Sequence, residues 1–296
     1  MTAAVLLLMV DLMGTIRPPA TLLRYCRGQF VYTGHNRRKC PKPGYLVQLV
    51  ARGGWTAIVF EDSATRALAG YQAGVDDAHF AIADAHAQGY PPGCSIFATA
   101  DFDADPNRIR DYVTGFSKTV RAGGFSMGLY ANGACIRTFK SEGLITWGWL
   151  TCSGGFRGSR DHTGVDVWQR CAGQDGQIAI PGYSIDTNHI LTVGGYIAAW
   201  GQHPGQVSAD RKAIAAFPGV IRPGDAGTKV AMATVVLVML GERGFASRPL
   251  RLARKQGVGK VRAWKRWQKA HGLVPDGVVG PVTWAKADEV LSAGKR

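Results

Sequence analysis

The amino-acid sequence predicts an α/β protein whose larger part is a (β/α)8-type barrel with reduced outer helices. Before residue 204, eight short runs of β-forming residues alternate with helical stretches. Several of these runs are continuously apolar and end in a polar residue, as strands covered on both faces do. After residue 204 the charge changes: residues 205–296 hold 17 of the 35 Lys and Arg but only 6 of the 21 Asp and Glu. This shift indicates a second, basic and smaller all-α unit at the C-terminus.

The predicted elements follow in order along the first 190 residues. The strands are Val5–Asp11, Gln29–Thr33, Thr56–Glu61, Ser95–Ala100, Ser126–Tyr130, Thr146–Thr151, Gly164–Gln169 and Tyr183–Asp186. Helices are predicted at 44–53, 70–89, 107–123 and 134–143, bounded largely by Gly. The last connections are short and Gly-rich, so the outer helical ring is incomplete there. A doubly wound open sheet is the alternative architecture.

The domain boundaries come from a change in composition. Trp200–Pro223 is rich in Gly, Pro, Gln and Ser, so we expect a barrel over residues 1–203, a linker over 204–221 and a small domain over 222–296. The apolar run Ala231–Leu240 is too short to cross a bilayer and predicts a buried helix. The apolar N-terminus has neither a basic start nor a cleavage site, which favours a first strand over a signal peptide. No membrane span is therefore expected.

The six cysteines all lie before residue 204 and form no CxxC pair. No His stands at zinc-ligand spacing from two of them, so no metal or other cofactor is expected. A chain without a signal peptide is made in a reducing compartment, where buried free thiols are the default. An even number of cysteines also permits disulfides, and their pairing stays open.

Acidic residues follow several of the predicted strands. Asp11, Glu61, Asp101 with Asp103, and Asp186 stand at or directly after strand ends, which meet at one rim of a barrel. In an extended chain, residues two apart point the same way, so Asp101 and Asp103 would both face that rim. Paired carboxylates are the groups that cleave glycosidic bonds, one as acid and one as base or nucleophile. Each residue alone could instead cap a helix.

Aromatic and amide side chains fall at the same predicted rim. Aromatic faces stack on sugar rings and amides bind hydroxyl groups, although each of these residues could equally fill the core. The candidate substrate-binding residues are Tyr130, Asn132, Trp149, Trp168, Gln169 and Asn188.

The C-terminal segment from Trp264 to Trp284 has a helical period followed by two turns. Trp264 and Trp267 lie on one side of the predicted helix, whereas four cations lie on the other: Arg262, Lys265, Arg266 and Lys269. Asp276-Gly277 and Gly280-Pro281 are turn pairs. We expect the tryptophans inside and the cations outside, where they would bind a polyanion such as nucleic acid, anionic lipid or a wall polymer.

This segment resembles the C-terminal half of the peptidoglycan-binding domain of cell-wall hydrolases. The matching residues are Trp267-Gln268, Gly272-Leu273, Asp276-Gly277, Gly280 and Thr283-Trp284. Arg222-Pro223-Gly224-Asp225 and Gly227 resemble the opening of the same family. Between Phe245 and Val258 the chain departs from the family and carries several Arg and Lys instead of a first Asp-Gly turn.

The first domain resembles a glycoside-hydrolase-like barrel family that is distantly similar to the family 25 lysozymes. The resemblance spans roughly residues 5–190 and rests on VDLMG, FVYTGH, AIVFED, GCSIFATADFD, MGLYANG, VWQR and SIDTN. The lysozymes carry D-x-E after strand four, where this chain has Asp101-x-Asp103. The resemblance therefore implies Asp103 or Glu61 as the acid, with Asp101, Asp11 and Asp186 stabilising charge or orienting water.

Together the two resemblances imply a modular peptidoglycan glycan-strand hydrolase, similar to a bacteriophage endolysin. Its partners would be peptidoglycan and anionic wall polymers, reached from the host cytoplasm at lysis. The alternative is a non-catalytic cell-wall-binding protein whose barrel binds glycan. A nucleic-acid-binding protein driven by the basic C-terminal part is a third hypothesis, although no specific nucleic acid is expected.

Overall fold

The computed structural model describes residues 8–12, 14–16, 18–36, 40–171, 174, 178–192, 197–202, 220–225, 233 and 258–293. Eight strands form a closed barrel in chain order. They are β1 (Leu8–Asp11), β2 (Gly28–Thr33), β3 (Trp55–Phe60), β4 (Ser95–Thr99), β5 (Ser126–Ala131), β6 (Trp147–Leu150), β7 (Val167–Arg170) and β8 (Asp186–Ile190). Closure confirms the predicted barrel and excludes the open doubly wound sheet.

Helices cover the outside of the first half of the barrel. They are α1 (Pro19–Leu22), α2 (Tyr45–Val50), α3 (Gly70–Ala87), α4 (Pro106–Ala122) and α5 (Gly133–Ser141), with a 3-10 turn at Arg66–Ala69. All four predicted helices are present, close to their predicted bounds. Residues 151–166, between β6 and β7, contain no helix, so the outer ring is reduced there as expected.

The last strand differs from its prediction in position and direction. Strands β1 to β7 run parallel in succession, whereas β8 is antiparallel to both β7 and β1. Asp186 begins β8 instead of ending it, and it pairs with Asp11. An antiparallel strand starts where its parallel neighbours finish, so Asp186 still lies at the predicted rim, here called the mouth.

Below the mouth the barrel interior is packed with large apolar side chains. Trp149 is fully buried and stacks on Phe30 with ring centroids 4.1 Å apart. The segment 197–202 closes the opposite end of the barrel, because Thr56 and Trp200 exchange backbone hydrogen bonds of 3.0 and 2.8 Å. The interior is therefore a filled core, and only the mouth is polar.

Helices α3 and α4 approach each other at two glycines. A Cβ on Gly74 would lie 2.2 Å from the Tyr112 carbonyl oxygen, and one on Gly115 would lie 2.3 Å from that of Tyr71. Nearby, the buried carboxylate of Asp77 accepts hydrogen bonds from Arg66, Tyr112 and His35, each at 2.8–2.9 Å. This ionic network joins both helices to the loops that follow β2 and β3.

Two helices are described near the C-terminus, α6 (Val258–Ala270) and α7 (Pro281–Ala293). Trp264, Trp267 and Trp284 are buried between them, which confirms the predicted inward orientation. The Gln268 amide accepts from Gly277 N at 2.8 Å and donates to the Val278 carbonyl at 2.9 Å, so it fixes the predicted Asp-Gly turn. Most of the predicted helix at 231–240 and of the linker at 204–221 lies outside the described residues.

Two of the six cysteines are paired. Cys152 and Cys171 form a disulfide with a Cα–Cα distance of 5.7 Å, so the default expectation of free thiols is wrong for this pair. They follow the neighbouring strands β6 and β7, which places them within bonding distance. Cys26, Cys40, Cys94 and Cys135 are free, as expected. Within the described ranges, no helix has the length and apolar character needed to cross a bilayer.

Candidate active site

The mouth of the barrel brings together polar residues from nearly every strand. Asp11 ends β1, Tyr32 lies in β2, Glu61 follows β3 and Asp101 follows β4. The remaining members are Tyr130 of β5, Gln169 of β7, and Asp186 and Asn188 of β8. These residues are separated by up to 177 positions in the chain, and hydrogen bonds join all of them except Glu61, which acts on the two tyrosines through its charge.

Asp11 lies at the centre of this network and is only 4% exposed. Its carboxylate accepts hydrogen bonds from Asn188 Nδ2 at 2.6 Å, Tyr32 Oη at 2.8 Å and Gln169 Nε2 at 3.1 Å. Burial raises the pKa of Asp11, the three donors lower it, and the charge of Asp101 raises it further; the net direction is upward. All three neighbours donate hydrogen bonds that stabilise the charged carboxylate, whereas its burial destabilises that form.

The Gln169 amide connects Asp11 to the opposite wall. Its Nε2 also lies 3.5 Å from Asp186 Oδ2, and its Oε1 accepts from Tyr130 Oη at 2.7 Å. The same Tyr130 hydroxyl is 3.3 Å from Asp101 Oδ1. The network therefore runs from Asp186 and Asp11 through Gln169 and Tyr130 to Asp101.

The charge of Glu61 acts on both tyrosines of the mouth, Tyr32 and Tyr130. Burial raises the pKa of Tyr32 well above its ordinary value, and the charges of Asp11 and then Glu61 raise it further. Burial likewise raises the pKa of Tyr130, followed by the charges of Asp101 and Asp11, with a smaller contribution from Glu61. Glu61 is half-buried and its charge acts on both hydroxyl groups, so it belongs to the mouth as predicted.

Asp101 and Asp103 follow β4 instead of continuing it, and they make different contacts. Strand β4 ends at Thr99, so the two residues lie in a loop where side chains no longer alternate regularly. Asp101 lies beside Tyr130, whereas Asp103 accepts from Arg157 N at 2.7 Å and from Asn132 Nδ2 at 3.2 Å. The Arg157 guanidinium lies 3.5 Å from the other oxygen of Asp103.

Three predicted substrate-binding residues have other positions. Asn132 caps α5, accepting from Cys135 N at 2.9 Å, and its amide donates to Asp103 and to the Ala104 carbonyl. Trp149 fills the barrel interior. Trp168 points outward, because it alternates with inward-facing Gln169, and it packs on His162 and under Arg170. Strand position alone does not reveal whether a residue lines the mouth, caps the next helix, fills the interior or faces outward.

Tyr130, Gln169 and Asn188 lie in the mouth as predicted, whereas Tyr32 and Arg157 were not predicted. Tyr32 could have been found, since it lies two residues after the interior Phe30 in β2 and therefore faces the same side of the strand. Arg157 stands in a loop without a periodic pattern, so no local signal marks it. In the C-terminal part, the four predicted wall-binding cations are all exposed on α6.

Comparison with known proteins identifies one family and several similar structures. A family model described as Rv2525c-like, glycoside hydrolase-like domain matches residues 18–206. Comparison with curated proteins found no match. The crystal structure of the Tat-secreted protein Rv2525c of Mycobacterium tuberculosis, in complex with L-tartrate, is 19% identical with a TM-score of 0.55; the match covers 66% of this chain and 98% of that chain.

Two further structures match less closely. The catalytic domain of endolysin ply40 from bacteriophage P40 of Listeria monocytogenes is 14% identical with a TM-score of 0.42, over 62% of this chain and 92% of that chain. A peptidoglycan-binding protein from Clostridioides difficile is 32% identical with a TM-score of 0.22, over 24% of this chain and 42% of that chain. Of these three structures, Rv2525c alone is similar enough to support a conclusion, and that conclusion concerns the fold.

Proposed function

This chain belongs to the family of Rv2525c-like, glycoside hydrolase-like domains, and we propose that it hydrolyses the glycan strands of peptidoglycan. The bond we assign to it is the muramyl–glucosaminyl bond, cleaved by acid catalysis at the barrel mouth. The observation that carries the proposal is the meeting of Asp11, Glu61 and Asp101 around the buried Tyr130, with Asp186 joined to them through Gln169. Glycosidic cleavage requires two carboxyl groups in one cleft, one protonated and one charged.

The partners of each carboxylate suggest how the work is divided. Asp103 is bound by the backbone and guanidinium of Arg157, so it would have to break these contacts before giving a proton to a sugar. Asp101 lies beside the Tyr130 hydroxyl, and the half-buried Glu61 acts through its charge on Tyr32 and Tyr130. We assign the acid to Glu61, because it is half-buried in the mouth, and charge stabilisation to the more exposed Asp101. Asp103 remains the rival acid.

We further propose that residues 222–296 form a small all-α domain that binds the wall through charge. The three buried tryptophans leave no indole face for stacking on sugars. Arg262, Lys265, Arg266 and Lys269 instead form one cationic face of α6, suited to an anionic wall polymer. Binding of this kind should weaken steeply as salt rises, because salt screens exposed charges.

One observation favours a second function, a non-catalytic protein that binds glycan. The second acidic residue of the Asp101-x-Asp103 pair is bound by Arg157, whereas Asp101 lies beside Tyr130. If that arrangement persists with a ligand bound, the barrel keeps a polar mouth, but the Asp103 carboxylate is not available for acid catalysis.

The two functions are separated by digestion of purified peptidoglycan and mass spectrometry of the soluble fragments. For the hydrolase we expect muropeptides with new reducing ends, and a loss of activity of about 100-fold or more in Glu61→Gln and Asp101→Asn. Asp76→Asn, an exposed carboxylate on α3, is the matched control and should stay active. Sedimentation of the protein with peptidoglycan without release of any fragment would establish the binding protein instead. A larger loss in Asp103→Asn than in Glu61→Gln would move the acid to Asp103.

A further inference from the structure

We propose that Gln169 is the positioning residue of the mouth: its amide holds Asp11 and Asp186 on one side and directs the Tyr130 hydroxyl on the other. Gln169 is 3% exposed, and both its Nε2 and its Oε1 make hydrogen bonds to protein atoms. Its consequence for catalysis rests on the proposed function, but the arrangement itself does not.

The partners of Gln169 determine which way its amide faces. The Cys152 backbone N–H lies 3.4 Å from Oε1 and can only donate, so the carbonyl oxygen must be on that side. The opposite side faces the carboxylate oxygens of Asp11 and Asp186, which accept, so the NH2 group must be there. Reversing the amide would place an oxygen against two carboxylates and an NH2 against an N–H.

A fixed amide has two effects on the charges around it. Asp11 and Asp186 are cross-strand partners in the β1–β8 register, where like charges repel. The NH2 group of Gln169 lies within hydrogen-bond distance of both and offsets part of that repulsion. With both protons engaged there, Gln169 has none to offer to a sugar hydroxyl, so it positions other groups instead of binding substrate.

The second effect concerns Tyr130, whose hydroxyl carries one proton. The oxygen of Gln169 lies 2.7 Å away and that of Asp101 lies 3.3 Å away, so the proton is directed mainly to Gln169. Removal of the Gln169 oxygen would release that proton to Asp101. Gln169 therefore sets how strongly Asp101, an exposed carboxylate of the mouth, is bound by the wall behind it.

The strand that carries Gln169 is held at a weak seam of the barrel. Strands β6 and β7 pair only at Trp149↔Val167 and Leu150↔Trp168, with no helix between them. Directly above this ladder, the Cys152–Cys171 disulfide joins the two strand ends, two residues beyond Gln169. The disulfide thus fixes the distance between Gln169 and the Cys152 N–H that orients it.

The test follows the protonation of Asp11 by carboxyl-13C NMR, with Asp11 assigned by the signal lost in Asp11→Asn. The groups that face Asp11 from the surrounding strands and loops are Tyr32, Glu61, Asp101, Tyr130, Gln169, Asp186 and Asn188. Gln169→Met keeps the length of the side chain and removes its polar atoms. We expect the proton affinity of Asp11 to rise roughly tenfold, since hydrogen bonds to the charged form are lost.

The matched control is Gln29→Met. Gln29 is an equally buried amide of the same barrel, bound to the Tyr45 hydroxyl and the Gly14 carbonyl at 2.7 Å, and its bonds do not involve the mouth carboxylates. Its loss should lower stability and leave the titration of Asp11 unchanged. Equal titration of Asp11 in wild type and Gln169→Met overturns the proposal, as does an equal shift in the control.

If Gln169→Met does not fold, the proposal is tested by NMR of the Gln169 side chain in the wild-type protein. The side-chain NH2 of Gln169 should exchange slowly with solvent, and its 15N shift should follow the titration of Asp11; a fast-exchanging or unresponsive NH2 overturns the proposal. Hydrolysis of soluble glycan fragments is measured on the same samples, where we expect Gln169→Met to lower kcat with little change in KM. A wild type that releases no fragments would refute the proposed function, while the NMR result would still decide the role of Gln169.

Discussion

Acidification should weaken the folded state through His162, in the loop between β6 and β7. Its ring packs edge-on against Trp168 at 4.8 Å, and its buried Nε2 has no hydrogen-bond partner among the described residues. Burial lowers the pKa of His162 from 6.5 to about 4; the charge of Asp161 opposes this and that of Arg170 adds to it. A proton bound in the folded state would place an N–H in this apolar contact without an acceptor.

The magnitude follows from linkage. Because the pKa is lower in the folded state, the unfolded chain binds the proton first, and stability is lost as the pH falls from 6.5 towards about 4. At about 1.4 kcal/mol for each pH unit, the loss approaches roughly 3 kcal/mol. This is an upper bound, since local opening of the loop could admit water at lower cost.

The assay is the free energy of unfolding in urea, measured every half unit from pH 7 to 4 for wild type and His162→Phe. Phenylalanine keeps the ring contact with Trp168 but cannot take up a proton, so the variant should lose about 3 kcal/mol less than wild type over this range. His79→Phe, at an exposed site on α3, controls for the loss of a histidine and should follow the wild type. Parallel curves for wild type and His162→Phe would refute the reasoning.

Three other predictions concern the disulfide, the helix contact and the site. Replacing Cys152 and Cys171 by Ser should lower the free energy of unfolding by about 3 kcal/mol, given their separation of 19 residues; Cys94→Ser is the control, and a loss no greater than the control's would contradict this. Gly115→Ala should destabilise by about 2 kcal/mol despite the better helix propensity of Ala, because its Cβ meets backbone at 2.3 Å; a higher Tm would show that the helices can separate freely. Burial raises the pKa of Asp11 above 3.8, so its contribution to stability is present below that value and is lost as the pH rises through the folded pKa. The stability of wild type relative to Asp11→Asn should therefore fall with rising pH in urea titrations, and a rise would contradict the direction.

Much of the fold could be predicted because its strands and helices produce local patterns of apolar residues in the sequence. Continuous apolar runs such as β3 and β4 identify strands buried on both faces, and each begins or ends within a residue or two of its prediction. Strand β8 reads as polar, because Asp186 and Asn188 face the mouth, so its position was misjudged. A strand that lines a polar site loses the hydrophobic period that would identify it.

The candidate site was predicted in its composition more than in its geometry. Acidic residues at strand ends were found from order alone, since parallel strands of a barrel finish at one rim. The partners of those residues could not be found this way. Asp103 accepts a hydrogen bond from the backbone N–H of Arg157, 54 positions away, and no local pattern predicts that contact.

The sequence by itself determined the barrel, the acidic rim and the buried tryptophans of α6, because each depends on a periodicity read within a few residues. The tertiary structure alone decided that β8 runs antiparallel, that Trp168 faces outward and that Cys152 pairs with Cys171. It also decided that Gln169 stands between Asp11 and Tyr130. These features depend on which distant segments become neighbours when the barrel closes, and closure is set by the packing of all eight strands together.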